Sequence, residues 1–480
     1  MSGAAPRILF ALNEPGYFRF YGETIVELAR RGWDVALIYD KPEKRGPEFS
    51  VPPNAGDRVR SYGAYPGEVS PAAKTLRTAV DCLRYLDPAF SRAEYLRRRA
   101  ERELPSWLGF MQRIKGLPRG AVSAGIGLAR LIERCFPPDR AVLEFLRQLR
   151  PDVVLVSPLV VVGGSGAQET EVLKAAHALG IATIVGVASW DHLTSKGLIR
   201  VVPDTVMVWN DVQADEARRL HRIPENRIVV TGAQSLDRWF DRARADDIST
   251  FRRTLGIDER RRVLLWVGSS RNMAPGDSEV RFVNRWIAAV RASASPDLRD
   301  AFVIIRPHPG NVEPWSANGL TAPNTVIFPS SYPAGVMLTD SEVEAFWHSL
   351  LASSAVVGIN TTAMIEAAIV GRPVFSVRDA SFAHSQQQTL HFDYLTTAQG
   401  GFTLVANTLS EHVAQLEQVL AEKEPDFRGA VRFVERFVRP LGMKTPATIH
   451  VCDAIDRIAG MTSIPGAPSQ STAEGLSVAR

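Results

Sequence analysis

Short, wholly apolar runs recur along the chain, and between them apolar residues return every three or four positions. The first run, Arg7 to Asn13, leads through a glycine-containing turn into a helical period at Ile25, Leu28 and Ala29, and then into a second run from Trp33 to Asp40. Strand, helix, strand in that order opens a βαβ unit. Further strands are expected at 152–157, 181–188, 205–210 and 227–232, with a polar helix around 214–220. Between about Pro71 and Leu149 the pattern is helical and offers no strand candidate, so residues 71–149 are expected to be a helical insertion in the first unit.

A charged, apolar-poor stretch, 237–247, precedes a second alternating series. Strands are expected at 263–268, 302–306, 325–328, 355–359, 373–377 and 402–405, and helices at 278–294, 341–352, 361–370 and 410–422. Strands that are apolar throughout fit parallel sheets covered on both faces. The expected fold is therefore α/β, with two doubly wound, Rossmann-like domains facing a cleft. The first spans 1–235, the second 236–461, and 462–480, rich in Ser, Pro, Gly and Ala without an apolar period, is a disordered tail. A length of 480 residues accommodates two such domains.

Composition narrows the function classes. With 45% hydrophobic and 22% charged residues the chain is an ordinary globular protein, with no apolar run long enough to cross a bilayer and no secretory signal at Met1 to Leu12. A net charge of +4 over this length does not argue for nucleic acid. Cys82, Cys135 and Cys452 form neither a C-x-x-C nor a zinc-ligand spacing. A cytoplasmic location and a site without metal are expected.

The segment from Gly358 to Val374 carries the most chemistry. A buried strand ends at Ile359, Asn360 or Thr361 caps a helix, and Gly371 falls at the C-cap. Free N–H groups at such a helix start suit a phosphate. Thr362 and Glu366, four residues apart, share a helix face, so the carboxylate is placed to accept from ribose hydroxyls one turn deeper. The plainer reading is a capped helix with a surface glutamate.

Together with Arg306-Pro307-His308-Pro309 and Gly268-Ser269-Ser270, this segment resembles the nucleotide-sugar-dependent glycosyltransferases of the GT-B fold. The wider group includes CDP-glycerol glycerophosphotransferases and UDP-N-acetylglucosamine 2-epimerases. The resemblance covers Ser189 to Val377. It implies that the second domain binds a nucleotide-activated donor, used as substrate with no separate cofactor. Ser269, Ser270, Thr361 and Thr362 would lie near the diphosphate, with Asn360 beside them and Glu366 at the ribose. Arg306 and His308 would meet the phosphates or the transferred group.

In the first domain, Ser189-Trp190-Asp191-His192-Leu193-Thr194 follows a strand and so lies at a carboxyl edge, where Asp191 or His192 would face an acceptor hydroxyl. Glu14, just past the first strand, is a rival base. Alternatively Asp191 caps a turn and Trp190 packs between the domains. The stretch Gly163 to Glu169 fails as a dinucleotide loop, since Glu169 stands where the third glycine belongs, and no P-loop or D-x-D occurs.

Residues 92–119 hold eight Lys or Arg against three Glu, interleaved with Tyr95, Leu96, Trp107, Leu108, Phe110, Met111 and Ile114. That mix suits either an anionic membrane surface or a solvated helix over a local core. The expected activity is sugar transfer from a nucleotide diphosphate donor to a glycan or lipid-linked acceptor hydroxyl, in envelope or surface polysaccharide synthesis, at the inner face of the cell membrane. CDP-alcohol phosphotransfer, UDP-sugar epimerisation and a non-catalytic nucleotide-sugar-binding scaffold are the alternatives.

Overall fold

The computed structural model describes residues 5–40, 53–157, 168–240, 248–317, 320, 322–332, 339–422 and 426–460. The region 462–480 and most of the Gly163 to Glu169 stretch lie outside them. Seven parallel strands form the first sheet: β1 (Arg7–Leu12), β2 (Asp34–Tyr39), β3 (Val59–Ala64), β4 (Val153–Ser157), β5 (Ala182–Gly186), β6 (Thr205–Val208) and β7 (Ile228–Val230), in the order β3-β2-β1-β4-β5-β6-β7. Six more form the second: β8 (Val263–Val267), β9 (Phe302–Arg306), β10 (Thr325–Ile327), β11 (Ala355–Gly358), β12 (Val374–Val377) and β13 (Thr403–Ala406), in the order β10-β9-β8-β11-β12-β13.

Each central strand is apolar on both sides because helices cover both faces. In β1, Ile8, Phe10 and Leu12 enter one core and Leu9 and Ala11 the other. The edge strand β3, absent from the expected elements, reads Val-Arg-Ser-Tyr-Gly-Ala and is mostly exposed, so it carries no apolar run. The strand order reverses between β1 and β4 and again between β8 and β11, and ligands in such sheets bind past the carboxyl ends at these points.

The stretch 71–149 is helical, as expected, but its last helix, Arg140–Leu149, inserts Val142, Leu146 and Leu149 into the first sheet's core and serves as an ordinary crossover into β4. The helices Pro71–Arg84, Glu94–Glu101 and Arg119–Cys135 make the true addition, with small cores of their own around Tyr85 and Phe90, and around Val122 and Ile126.

The final helix, Ala447–Ile458, which the sequence division groups with the second domain, returns to the first: Val451, Cys452, Ala454 and Ile455 pack in one core with Ile25, Leu28 and Trp33. Its first turn has no cap of its own. Asp237 supplies one, accepting from the backbone N–H of Ala447 at 3.0 Å and of Thr448 at 2.7 Å while also pairing with Arg439. Asp237 lies in the stretch read as a polar boundary, yet it is 1% exposed.

Candidate functional site

The carboxyl edges of the two sheets face one another across a cavity of about 400 Å³. Both switch points contribute. From the first sheet come Tyr17 and Arg19 after β1; from the second come Gly268 and Ser270 after β8, and Asn360, Thr361 and Thr362 after β11. Gly268 is required by packing, because a Cβ there would sit 2.8 Å from the His308 backbone nitrogen.

Asp191, His308, Arg306, Ser270, Asn360, Thr361, Thr362 and Glu366 all line this cavity, so residues separated in sequence meet as expected. Ser269 does not. It is fully buried, and its N–H points to the Glu279 carboxylate at 3.0 and 3.1 Å, which orders the loop behind the site. Glu14 does not line the cavity either and sits just before the turn Pro15–Tyr17.

The helix Thr362–Ile369 begins without a side-chain cap, which leaves its first N–H groups open toward the cavity. Asn360, one of the two expected caps, turns instead to the Ser385 carbonyl at 2.5 Å and to His391. The Thr362 hydroxyl accepts from the Trp190 indole at 3.2 Å, a bond that joins the two halves across the cleft. Gly371, with φ of 74°, ends the helix at the expected place. Glu366 accepts from the Trp239 indole at 3.0 Å, and burial raises its carboxyl against the pull of Arg238, that indole, Arg19 and Arg306.

The two catalytic candidates differ in protonation. Burial lowers the His308 imidazole to about 4, so it is neutral near pH 7. Its Nδ1 accepts from the Gly310 N–H at 3.0 Å, which assigns the proton to Nε2 and makes that nitrogen a donor. Asp191 receives the Ser189 and Ser195 hydroxyls, one on each oxygen, both at 2.7 Å. Burial pushes its carboxyl up, but His192, His391, Lys196 and the Ser189 hydroxyl outweigh that and hold it well below the usual carboxylate range.

The chain also places here residues that sequence reasoning missed. Arg19, Arg99, Lys196 and Arg238 join Arg306, giving five cations against the carboxylates of Asp191 and Glu366. Arg306 is 5% exposed; one terminal nitrogen donates to the Glu342 carbonyl at 2.9 Å and the other has no protein partner. Arg99 comes from the basic segment 92–119, and its guanidinium turns inward to the Ser195 carbonyl. His391, buried between the halves, bonds the Thr194 hydroxyl at 3.1 Å and packs edge-on to Trp190. Lys196 lies two positions past the quoted 189–194 motif, the nearest thing to a signal for it; the others carry none. Among the described residues no cluster of His, Cys, Asp or Glu could hold a metal ion, and no helix is long and apolar enough to cross a membrane.

No family model and no curated protein matches the sequence. Solved structures do match the fold. The UDP-GlcNAc 2-epimerase of Neisseria meningitidis, solved with UDP-GlcNAc, superposes with a TM-score of 0.51 at 12% identity, over 94% of this chain and all of that one. A glycosyltransferase of Rickettsia africae gives 0.51 at 9% identity, over 94% and 98%. The fold is of the GT-B type. The wall teichoic acid polymerase TagF superposes more loosely, at 0.48 and 10% identity over 94% and 88%. The cavity described above is the cleft between the two halves of this GT-B fold, and the helical addition forms one of its walls through Leu96 and Arg99.

Proposed function

We propose that this protein is a GT-B transferase that moves a sugar from a nucleotide diphosphate donor to an acceptor hydroxyl. The observation that carries the reading is the cleft's charge: five cations converge with an uncapped helix start where both sheets' strand order reverses. A diphosphate is the ligand chemistry that such a set neutralises.

In this reading the diphosphate lies against the start of helix Thr362–Ile369 and is neutralised by the charge of Arg306 and its neighbours. Glu366 accepts from the ribose. His308 Nε2 donates to an oxygen of the leaving diphosphate, adding stabilisation where charge develops as the anomeric C–O bond breaks. The acceptor oxygen attacks the anomeric carbon, the bonding pair leaves on the diphosphate, and Asp191 takes the acceptor's proton. A carboxyl held at such low pKa accepts that proton only as the new bond forms and the hydroxyl becomes acidic.

Product analysis with radiolabelled nucleotide donors tests the reaction. Labelled sugar joined to an acceptor supports transfer; a donor returned with altered sugar stereochemistry, or transfer of an alcohol phosphate, overturns it. Asp191→Asn is expected to retain nucleotide binding and lose turnover at least a hundredfold, within the range typical for a general base. Equal losses in binding and turnover would remove Asp191 from the chemical step.

A further inference from the structure

A second cavity, of about 840 Å³, opens at the opposite edge of the first sheet. Its floor is made by the residues that lead into β5, β6 and β7, among them Ile181, Asp204 and Arg227, so it lies at the amino ends of the strands, away from the cleft. The helix Arg119–Cys135 closes it with Arg130, Glu133 and Arg134. This helix belongs to the addition that interrupts the usual βαβ order.

The lining is cationic. Arg130, Arg134, Lys174, Arg200 and Arg227 face two carboxylates, Glu133 and Asp204. Those carboxylates are already engaged: Glu133 is shared by Arg77 and Lys174, and Asp204 receives the Thr183 N–H and hydroxyl at 3.0 and 2.7 Å. Arg130 spends both terminal nitrogens on the backbone carbonyls of Ile199, His221 and Arg222, and Arg227 spends one on those of Val202 and Pro203. Neither these two nor Arg134 pairs with a carboxylate among the described residues.

Arg200 is the deepest of the set, 4% exposed, with one terminal nitrogen on Asp81 and the Arg77 carbonyl. Its Nε and other terminal nitrogen have no partner, and neither has Nε of Arg130. Buried guanidinium donors without acceptors are costly, and here they leave the rear of the cavity short of negative charge. Phe136, Pro138 and Pro224 add an apolar wall beside the charge.

From this arrangement we infer a second binding site, built by the helical addition, for a small phosphoanion that carries a ring, such as a phosphorylated sugar or a nucleotide. Its distance from the cleft, on the other edge of the sheet, makes it independent of the transfer reaction proposed above. Cationic side chains without carboxylate partners suit phosphate oxygens, and the apolar wall suits the face of a ring.

Calorimetric titration of the full chain with inorganic pyrophosphate tests it. Two sites are expected. The double variant Arg134→Gln, Arg227→Gln, whose side chains hold no buried ion pair, should weaken one by about tenfold or more and leave the other intact. Arg238→Gln should weaken the other, so a failed cleft reading and a failed second site are told apart. In the Arg238→Gln background, UDP and glucose 1-phosphate distinguish a nucleotide from a phosphorylated sugar as the natural source. A double variant with an unchanged circular dichroism spectrum and unchanged titration, or a single site in the parent protein that only Arg238→Gln weakens, would overturn the inference.

Discussion

Glu366 has one neighbour in the fold, the Trp239 indole, and a second, the ribose, only in the function proposed above. It is half-buried, faces the cleft, and holds the Trp239 indole at 3.0 Å. Under the proposed function, Glu366→Ala deletes both the charge toward the ribose and the indole's acceptor, so donor affinity should fall about tenfold to a hundredfold and the melting temperature should fall with it. Glu366→Gln keeps an acceptor for the indole. Its melting temperature should stay near that of the parent while affinity still drops, and an isothermal titration beside a thermal melt reads both. A Gln variant that melts early but binds normally would make Glu366 a purely structural residue. The sequence placed Glu366, Thr362, His308 and Asp191 in one cleft because each follows a legible apolar strand. Ser269 was misplaced for a related reason: strand ends are legible, but which of two adjacent serines faces inward depends on Glu279, ten residues on and in another element. Arg19, Arg99, Arg238 and His391 left no signal of a site and Lys196 only its nearness to the 189–194 motif, since only the closure of two distant surfaces gives them a common site.

At the scale of elements, the addition Pro71–Cys135 changes character once its partners are seen. Its charge run over 92–119 suits an anionic membrane surface as well as a solvated helix, but the three central arginines are differently engaged. Arg99 instead lines the cleft, Arg97 pairs with Glu101 at 2.7 Å, and Arg98 pairs with Glu94 at 2.6 Å. Two large aromatic side chains remain outward among exposed cations. In the short helix Ser106–Arg113, Trp107 is 68% exposed and Phe110 58%, and Arg113 and Lys115 nearby are exposed. A large aromatic pair beside cations is the composition of an interfacial anchor. The protein should therefore float with anionic vesicles, less so at high salt, and the double variant Trp107→Ser, Phe110→Ser should lose most of that association. Equal flotation of both proteins, or none by the parent, returns the segment to a solvated surface. Edge strand β3 teaches the converse lesson about legibility, because its polar, exposed sequence satisfies its backbone through β2 alone and leaves no apolar trace.

Across the whole molecule, the two halves are tied by polar bonds in addition to apolar packing. Trp190 meets Thr362, Thr194 meets His391, the Asn210 amide donates to the Phe437 carbonyl at 2.7 Å, and the Tyr394 hydroxyl donates to Glu216 at 2.5 Å. The final helix crosses back to the first half, so the composition change near 237–247 lies between the two sheets without dividing their helices in the same way. Glu216 gives this interface a pH dependence. Burial pushes its carboxyl up to about 8, partly opposed by the Tyr394 hydroxyl and Arg84 and reinforced by Asp191 and Asp215. The folded state therefore holds this proton until about pH 8, whereas the unfolded chain releases it near 4.5. Between those values the folded state binds more protons, so stability should decline as pH rises, by up to about 1.4 kcal/mol per unit, and level off above the window. Glu216→Gln keeps a neutral acceptor for Tyr394 and removes the titration. Thermal melts from pH 5.5 to 8.5 should show the parent losing stability toward the alkaline end relative to the Gln variant. If the two proteins lose stability in parallel across that range, the Glu216 carboxyl is already ionised in the fold and the interface owes its pH response to another group.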